Sequence, residues 1–203
     1  MTLRLPDLTR CDEYVVRQSR ELAELFGFET RNKYEVLAGE ERIALVAEKG
    51  RGFASAIGRQ FLGHWRTFHL AMVSPTGELL LEATHPFRWF FQELHITTHD
   101  GRELGVLDQR FALIKKRFDV RFAQGATAEV ASPLWTPWTF RLTRGGDEVA
   151  RIEKKWSGLL KEAFTDADNF RVVFTPRALG NDERAVVLLA AVFVDLVYFE
   201  KKA

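Results

Sequence analysis

A chain of 203 residues with 46% hydrophobic and 28% charged side chains has a globular composition, enough for one sizeable domain and neither disordered nor fibrous. Lys plus Arg number 29 against 28 for Asp plus Glu, so a net charge of +1 gives no general pull toward nucleic acid, and none is expected as a partner. The single cysteine, Cys11, excludes an internal disulfide and Cys-based zinc sites and points to a reducing compartment.

Residues 1–10 read as a short tail with no apolar core of a secretory signal, so a cytoplasmic protein is expected. From Asp12 to Phe26, Val15, Val16, Leu22, Leu25 and Phe26 fall near helical spacing and Gly27 supplies a stop. The spacing predicts an N-terminal amphipathic helix. Lys33–Val36 and Arg42–Glu48 then read as two short strands about a turn at Gly39.

Residues 50–66 change texture. Phe53, Ile57, Phe61, Leu62 and Trp65 recur at three and four, with Arg51, Arg59, His64 and Arg66 between them. This is the pattern of a basic amphipathic insert of the kind that lies on membranes. The same apolar residues could equally form a flap over a barrel mouth.

Beyond it the period becomes two. Thr67–Val73 and Glu78–Ala83 flank the turn Ser74-Pro75-Thr76-Gly77. Phe90–Thr97 and Glu103–Asp108 flank His99-Asp100-Gly101-Arg102, and Thr139–Thr143 and Glu148–Glu153 flank Arg144-Gly145-Gly146-Asp147. Phe111–Phe122 is strand-like with a basic middle, Lys115, Lys116 and Arg117. Strands this short and evenly spaced predict a meander that closes or stacks. Lys154 and Lys155 add a second basic stretch, and each run is also what a solvated strand face would carry.

From Ala185 to Phe199 the chain is apolar all round except for Asp195. A helix of that length spans about 22 Å, short of a hydrocarbon core of about 30 Å. A carboxylate at mid-bilayer adds a few kcal/mol. The simpler reading is a central helix over 183–200, with Val187, Leu188, Ala191, Val194 and Tyr198 buried inside the meander. The whole of 1–203 is then one mainly β domain.

The block Trp156–Phe170, WSGLLKEAFTDADNF, resembles the signature of the phospholipid scramblases, which share the Tubby-like C-terminal fold and are related to LURP-one-like proteins. GFETRNKYEV at 27–36 and FVDLVYFE at the C-terminal end resemble further segments of that family. The resemblance implies a closed antiparallel barrel of twelve strands around the C-terminal helix. It also implies work at membranes: calcium-stimulated, ATP-independent movement of phospholipid between leaflets. Related Tubby-like domains bind phosphoinositide headgroups on a basic face.

Three departures bear on mechanism. The family's calcium loop begins at DADNF, and Asp166 and Asp168 are present, but Arg171 and Arg177 stand where glycine and an acid are expected. Two carboxylates beside two arginines make a poor calcium cage, so weak or absent binding is expected and no cofactor is assigned. Asp166 and Asp168 then serve as turn residues. The cysteine cluster that resembles a palmitoylation site is replaced by Phe87-Arg88-Trp89-Phe90-Phe91, where Trp89 is a candidate lipid contact and Phe90 and Phe91 read as ordinary strand residues. The proline-rich N-terminal extension that many eukaryotic members carry, with its partner motifs, is not expected here.

No catalytic constellation stands out. The five histidines form no metal spacing, Gly50-Arg51-Gly52 lacks a phosphate-loop context and Ser157 sits in no nucleophile elbow, so the protein is not expected to be an enzyme. The expected partner is a phospholipid or membrane surface, met peripherally on the inner face. The candidate contacts are Arg51, Phe53, Ile57, Arg59, Phe61, Trp65, Arg66 and Trp89, with a basic face of Lys115, Lys116, Arg117, Lys154 and Lys155. Two readings stay open: a lipid-moving scramblase-like protein, or a soluble Tubby-like module binding a headgroup, small ligand or protein.

Overall fold

A computed structural model describes residues 5–19, 32–49, 67–86, 91–110, 116–155 and 169–199. Twelve strands form one closed antiparallel barrel in chain order: β1 (Glu13–Gln18), β2 (Lys33–Ala38), β3 (Glu41–Glu48), β4 (Phe68–Val73), β5 (Leu79–His85), β6 (Glu93–Thr98), β7 (Glu103–Gln109), β8 (Lys116–Phe122), β9 (Thr127–Ser132), β10 (Thr139–Arg144), β11 (Asp147–Lys155) and β12 (Asn169–Phe174). β1 pairs with β12, with Tyr14 opposite Val172 and Val16 opposite Phe170, so no sheet edge remains open to solvent or to another chain.

Alternation fixes the register. Tyr14 and Val16, Phe118 and Val120, Phe140 and Leu142, and Phe170 and Val172 lie two apart on their strands and are buried at 2% or less, which turns one apolar face of every strand into the lumen. At the β10–β11 hairpin both turn residues, Gly145 and Gly146, take positive φ, the geometry that matches strand twist in a two-residue turn.

The lumen is filled by helix α1 (Asn181–Val194), prolonged by one π-helical turn, Asp195–Phe199. Every residue from Arg184 to Val194 is buried, so the helix is apolar on all sides because strands surround it on all sides. Val187, Leu188, Ala191 and Val194 lie in this stretch, and Tyr198 is half-buried at its end. Gly105 on β7 permits the approach: a Cβ there would stand 2.7 Å from the Arg121 carbonyl oxygen and 3.4 Å from a Val186 methyl.

The N-terminal helix expectation is corrected in part. Glu13–Gln18 is a strand; Val15 and Val16 are adjacent β-branched residues, and pairing with β2 and β12 decides against the helical spacing. Residues 20–26 lie outside the described residues.

Candidate functional site

Strand direction sorts the connections by end. At one end lie the tight turns about 39–40, 74–78, 99–102, 123–126 and 145–146, with the start of α1. At the other, the mouth, open the connections 19–32, 49–67, 86–92, 110–115, 133–138 and 156–168, and the helix ends there too. Arg51, Phe53, Ile57, Arg59, Phe61, Trp65, Arg66, Trp89, Lys115, Asp166 and Asp168 themselves lie outside the described residues. The strand ends bracketing them all stand at this mouth.

Of the expected basic face, Lys116 and Arg117 open β8 at the mouth, where Arg117 pairs with Glu129 at 2.9 Å. Lys155 closes β11, exposed, 2.9 Å from Glu153. Lys154 is a correction. It shares the inward register of Ala150 and Ile152 and is 7% exposed, so its ammonium faces the lumen rather than solvent.

That ammonium lies 3.8 Å from Asp195 Oδ1, while the Tyr34 hydroxyl donates to Asp195 Oδ2 at 2.8 Å. Lys154 Nζ also sits 4.1 Å above the Phe199 ring and 5.5 Å from that of Phe170. A wide π turn carries Phe199 round to meet Phe140, Phe170 and Trp138, so aromatic rings close over the charged cluster. Tyr198 stacks on Phe140 and its hydroxyl accepts from Gln109 Nε2 at 3.3 Å; burial raises its pKa.

The opposite end of the helix is held as firmly. Arg184, 1% exposed, donates to the carbonyls of Leu8 at 2.9 Å and Cys11 at 2.6 Å and to Asp12 Oδ1 at 2.7 Å, with its guanidinium 4.7 Å from the Phe174 ring. Asn181 accepts from the Leu8 N–H at 2.6 Å and donates to the Pro6 carbonyl at 3.1 Å. Ionic contacts thus fasten the helix at both ends of the barrel.

The residues after Asp168 run directly into β12, where Arg171 bridges to Glu13 across the closing seam. Arg171 is therefore committed to barrel closure. Among the described residues no group of three or more His, Cys, Asp or Glu could hold a metal. No helix among them is long and apolar enough to cross a membrane.

Sequence reasoning missed β9, β12 and one loop. β9 was missed because TAEVAS alternates small side chains with weak apolar contrast. The exposed loop between β9 and β10, SPLWTPW, was also passed over, although two prolines and two tryptophans without a charge were there to be read.

Comparison with protein families matches residues 3–201 to the family Scramblase. The chain is similar to phospholipid scramblase 1 of Rattus norvegicus, 32% identical over 96% of this chain and 62% of the relative. It is similar to a phospholipid scramblase family protein of Schizosaccharomyces pombe, 25% identical over 94% and 60%. Phospholipid scramblase 2 of Homo sapiens is 31% identical over 96% and 69%. The chain spans about three-fifths of the length of the first two relatives. No solved structure matches.

Proposed function

The chain belongs to the Scramblase family, and on that premise we propose that it is a scramblase-like protein that binds phospholipid bilayers peripherally through the mouth of its barrel. One observation carries the reading: the strand ends that bracket the long strand-to-strand connections stand at that mouth, among them those of 49–67 with its basic amphipathic sequence, while the strand-to-strand turns at the opposite end are tight. Aromatic and basic side chains gathered at one end suit the headgroup layer, where each Lys or Arg near an anionic surface contributes about 1 kcal/mol. The expected setting is the inner face of a cellular membrane, and the expected consequence of binding is ATP-independent movement of phospholipid between leaflets.

The decisive assay uses liposomes carrying fluorescent phospholipid quenched by external dithionite. Loss of fluorescence beyond the outer-leaflet share supports lipid movement; quenching that stops at that share removes it.

A second reading, a soluble binding module without lipid movement, is favoured by the helix fastened at both ends, since a retained helix offers lipid no path across the bilayer. Flotation with anionic vesicles, wild type against Phe61→Asp, separates the cases. Vesicle binding with dithionite quenching that stops at the outer-leaflet share supports the module, and no binding by wild type overturns the membrane reading.

A further inference from the structure

Among the described residues the exposed large apolar side chains are Phe91, Leu134, Trp135 and Trp138, at 51%, 54%, 80% and 41%, and all of them stand at the mouth. Three belong to one short loop between β9 and β10. Water-exposed indoles are costly to maintain, and a cluster of them at one end of a barrel marks an interaction surface.

The loop is built to hold its tip outward. Thr136 N–H donates to the Pro133 carbonyl at 3.1 Å and Thr139 N–H to the Thr136 carbonyl at 2.9 Å, so two turns follow one another. The Ser132 hydroxyl donates to the Thr136 carbonyl at 3.2 Å. Leu134 and Trp135 are the two central residues of the first turn, and Pro137 stiffens the second. Trp138 roots the loop: its carbonyl accepts from Lys154 N–H at 2.8 Å and its ring lies 6.1 Å from that of Phe199. A preformed tip loses little conformational freedom when it engages a partner.

No charged residue lies between Ser132 and Phe140. Cations follow immediately behind: Arg117 pairs in register with Ala131, and exposed Lys155 stands on β11 beside the root. An apolar tip in front of two cations matches the layering of an anionic bilayer, with acyl chains below and phosphates above.

We propose that the Pro133–Trp138 loop is a bilayer-inserting finger, in which Leu134 and Trp135 enter the headgroup–acyl boundary of a phospholipid membrane and Arg117 and Lys155 meet its phosphates. This rests on the membrane reading above and assigns the insertion to specific residues. Two side chains on a narrow turn make too small and convex a face for a stable protein interface, which needs a flat patch of several hundred Å² per partner.

The test places an environment-sensitive dye on Trp135→Cys and, separately, on Glu40→Cys in the opposite-end turn, each in a Cys11→Ser background. Vesicles of phosphatidylcholine with phosphatidylserine are added, with and without nitroxide-bearing lipid. The dye at 135 shifts to the blue and is quenched by the nitroxide, while the dye at 40 stays water-like. Unlabelled Leu134→Glu/Trp135→Glu loses about tenfold or more in vesicle partitioning, with an unchanged thermal midpoint. A water-like dye at 135 on protein that still floats overturns the finger and leaves membrane binding standing through another surface. A blue shift that needs protein concentration rather than vesicles makes the tip a contact between polypeptides and overturns the lipid assignment. If wild type does not float at all, the membrane reading falls and the finger with it.

Discussion

Lys154 and Asp195 form an ion pair inside the barrel, their side chains 4% and 3% exposed and their charged atoms 3.8 Å apart. Sequence alone makes Asp195 a defect in an apolar helix. With Lys154 turned inward from β11 and the Tyr34 hydroxyl donating from β2, it becomes the point where the helix is tied to two strands of the barrel wall.

Breaking that pair on one side leaves a buried carboxylate. Lys154→Met is expected to lower unfolding free energy by about 3–5 kcal/mol, whereas Lys154→Met with Asp195→Leu, which removes both charges, loses much less. Urea denaturation of the two variants checks the difference. Equal losses would mean that the pair adds nothing beyond packing.

Arg184→Met should release the segment that precedes β1. The Leu8 and Cys11 carbonyls and Asp12 lose a buried donor, a destabilisation of about 2–4 kcal/mol. Hydrogen exchange should report it locally, with faster exchange at residues 8–12 and little change in β6–β9.

Gly105 has room for no side chain. Gly105→Ala drives a Cβ toward the Arg121 carbonyl and the Val186 methyls, and a loss of about 1–3 kcal/mol is expected. A lowered thermal midpoint with unchanged vesicle flotation would place the effect in packing rather than in membrane contact.

The closing seam responds to acid. A hydrogen bond from Arg171 holds the Glu13 carboxyl below its ordinary 4.5. Burial pushes Glu153 up, but hydrogen bonds from Lys155 and Arg151 and the charge of Arg171 outweigh it and leave its pKa lowered. A depressed carboxylate stabilises the fold above its unfolded pKa, and that contribution is lost as pH falls through the folded value. The contribution of these two carboxylates should therefore be fully present at neutral pH and be lost below about pH 4.5 as they take up protons. Glu13→Gln should shallow that fall slightly, since the pair is half exposed. Thermal midpoints between pH 6 and pH 3 measure it.

Turns and alternation made a β meander legible, with Ser74-Pro75-Thr76-Gly77 and Gly145-Gly146 marking hairpins, while its closure as twelve strands came from the family resemblance. The helix in the lumen was legible from an apolar stretch too short to span a membrane. Near Val15 and Val16 the reading failed, since two adjacent apolar residues fit either period until a partner strand is supplied. Lys154 was misplaced although its register was readable, two residues beyond Ile152 and four beyond Ala150; charge was weighed above alternation. Trp135 was overlooked although its uncharged Pro- and Trp-rich stretch was readable; that the stretch projects at the mouth follows only from the strand directions around it.

Retention of the helix is tested most directly by distance. Spin labels on Asp182→Cys, at the start of α1, and Glu78→Cys, in the β4–β5 turn at the same end, are compared by pulsed electron resonance with and without anionic vesicles, in a Cys11→Ser background. The expected result is one narrow distance distribution that vesicles leave unchanged while the protein is membrane-bound. A bound state in which the distribution moves or broadens would mean that the helix leaves the barrel for the bilayer, contradicting a closed barrel that works from its mouth.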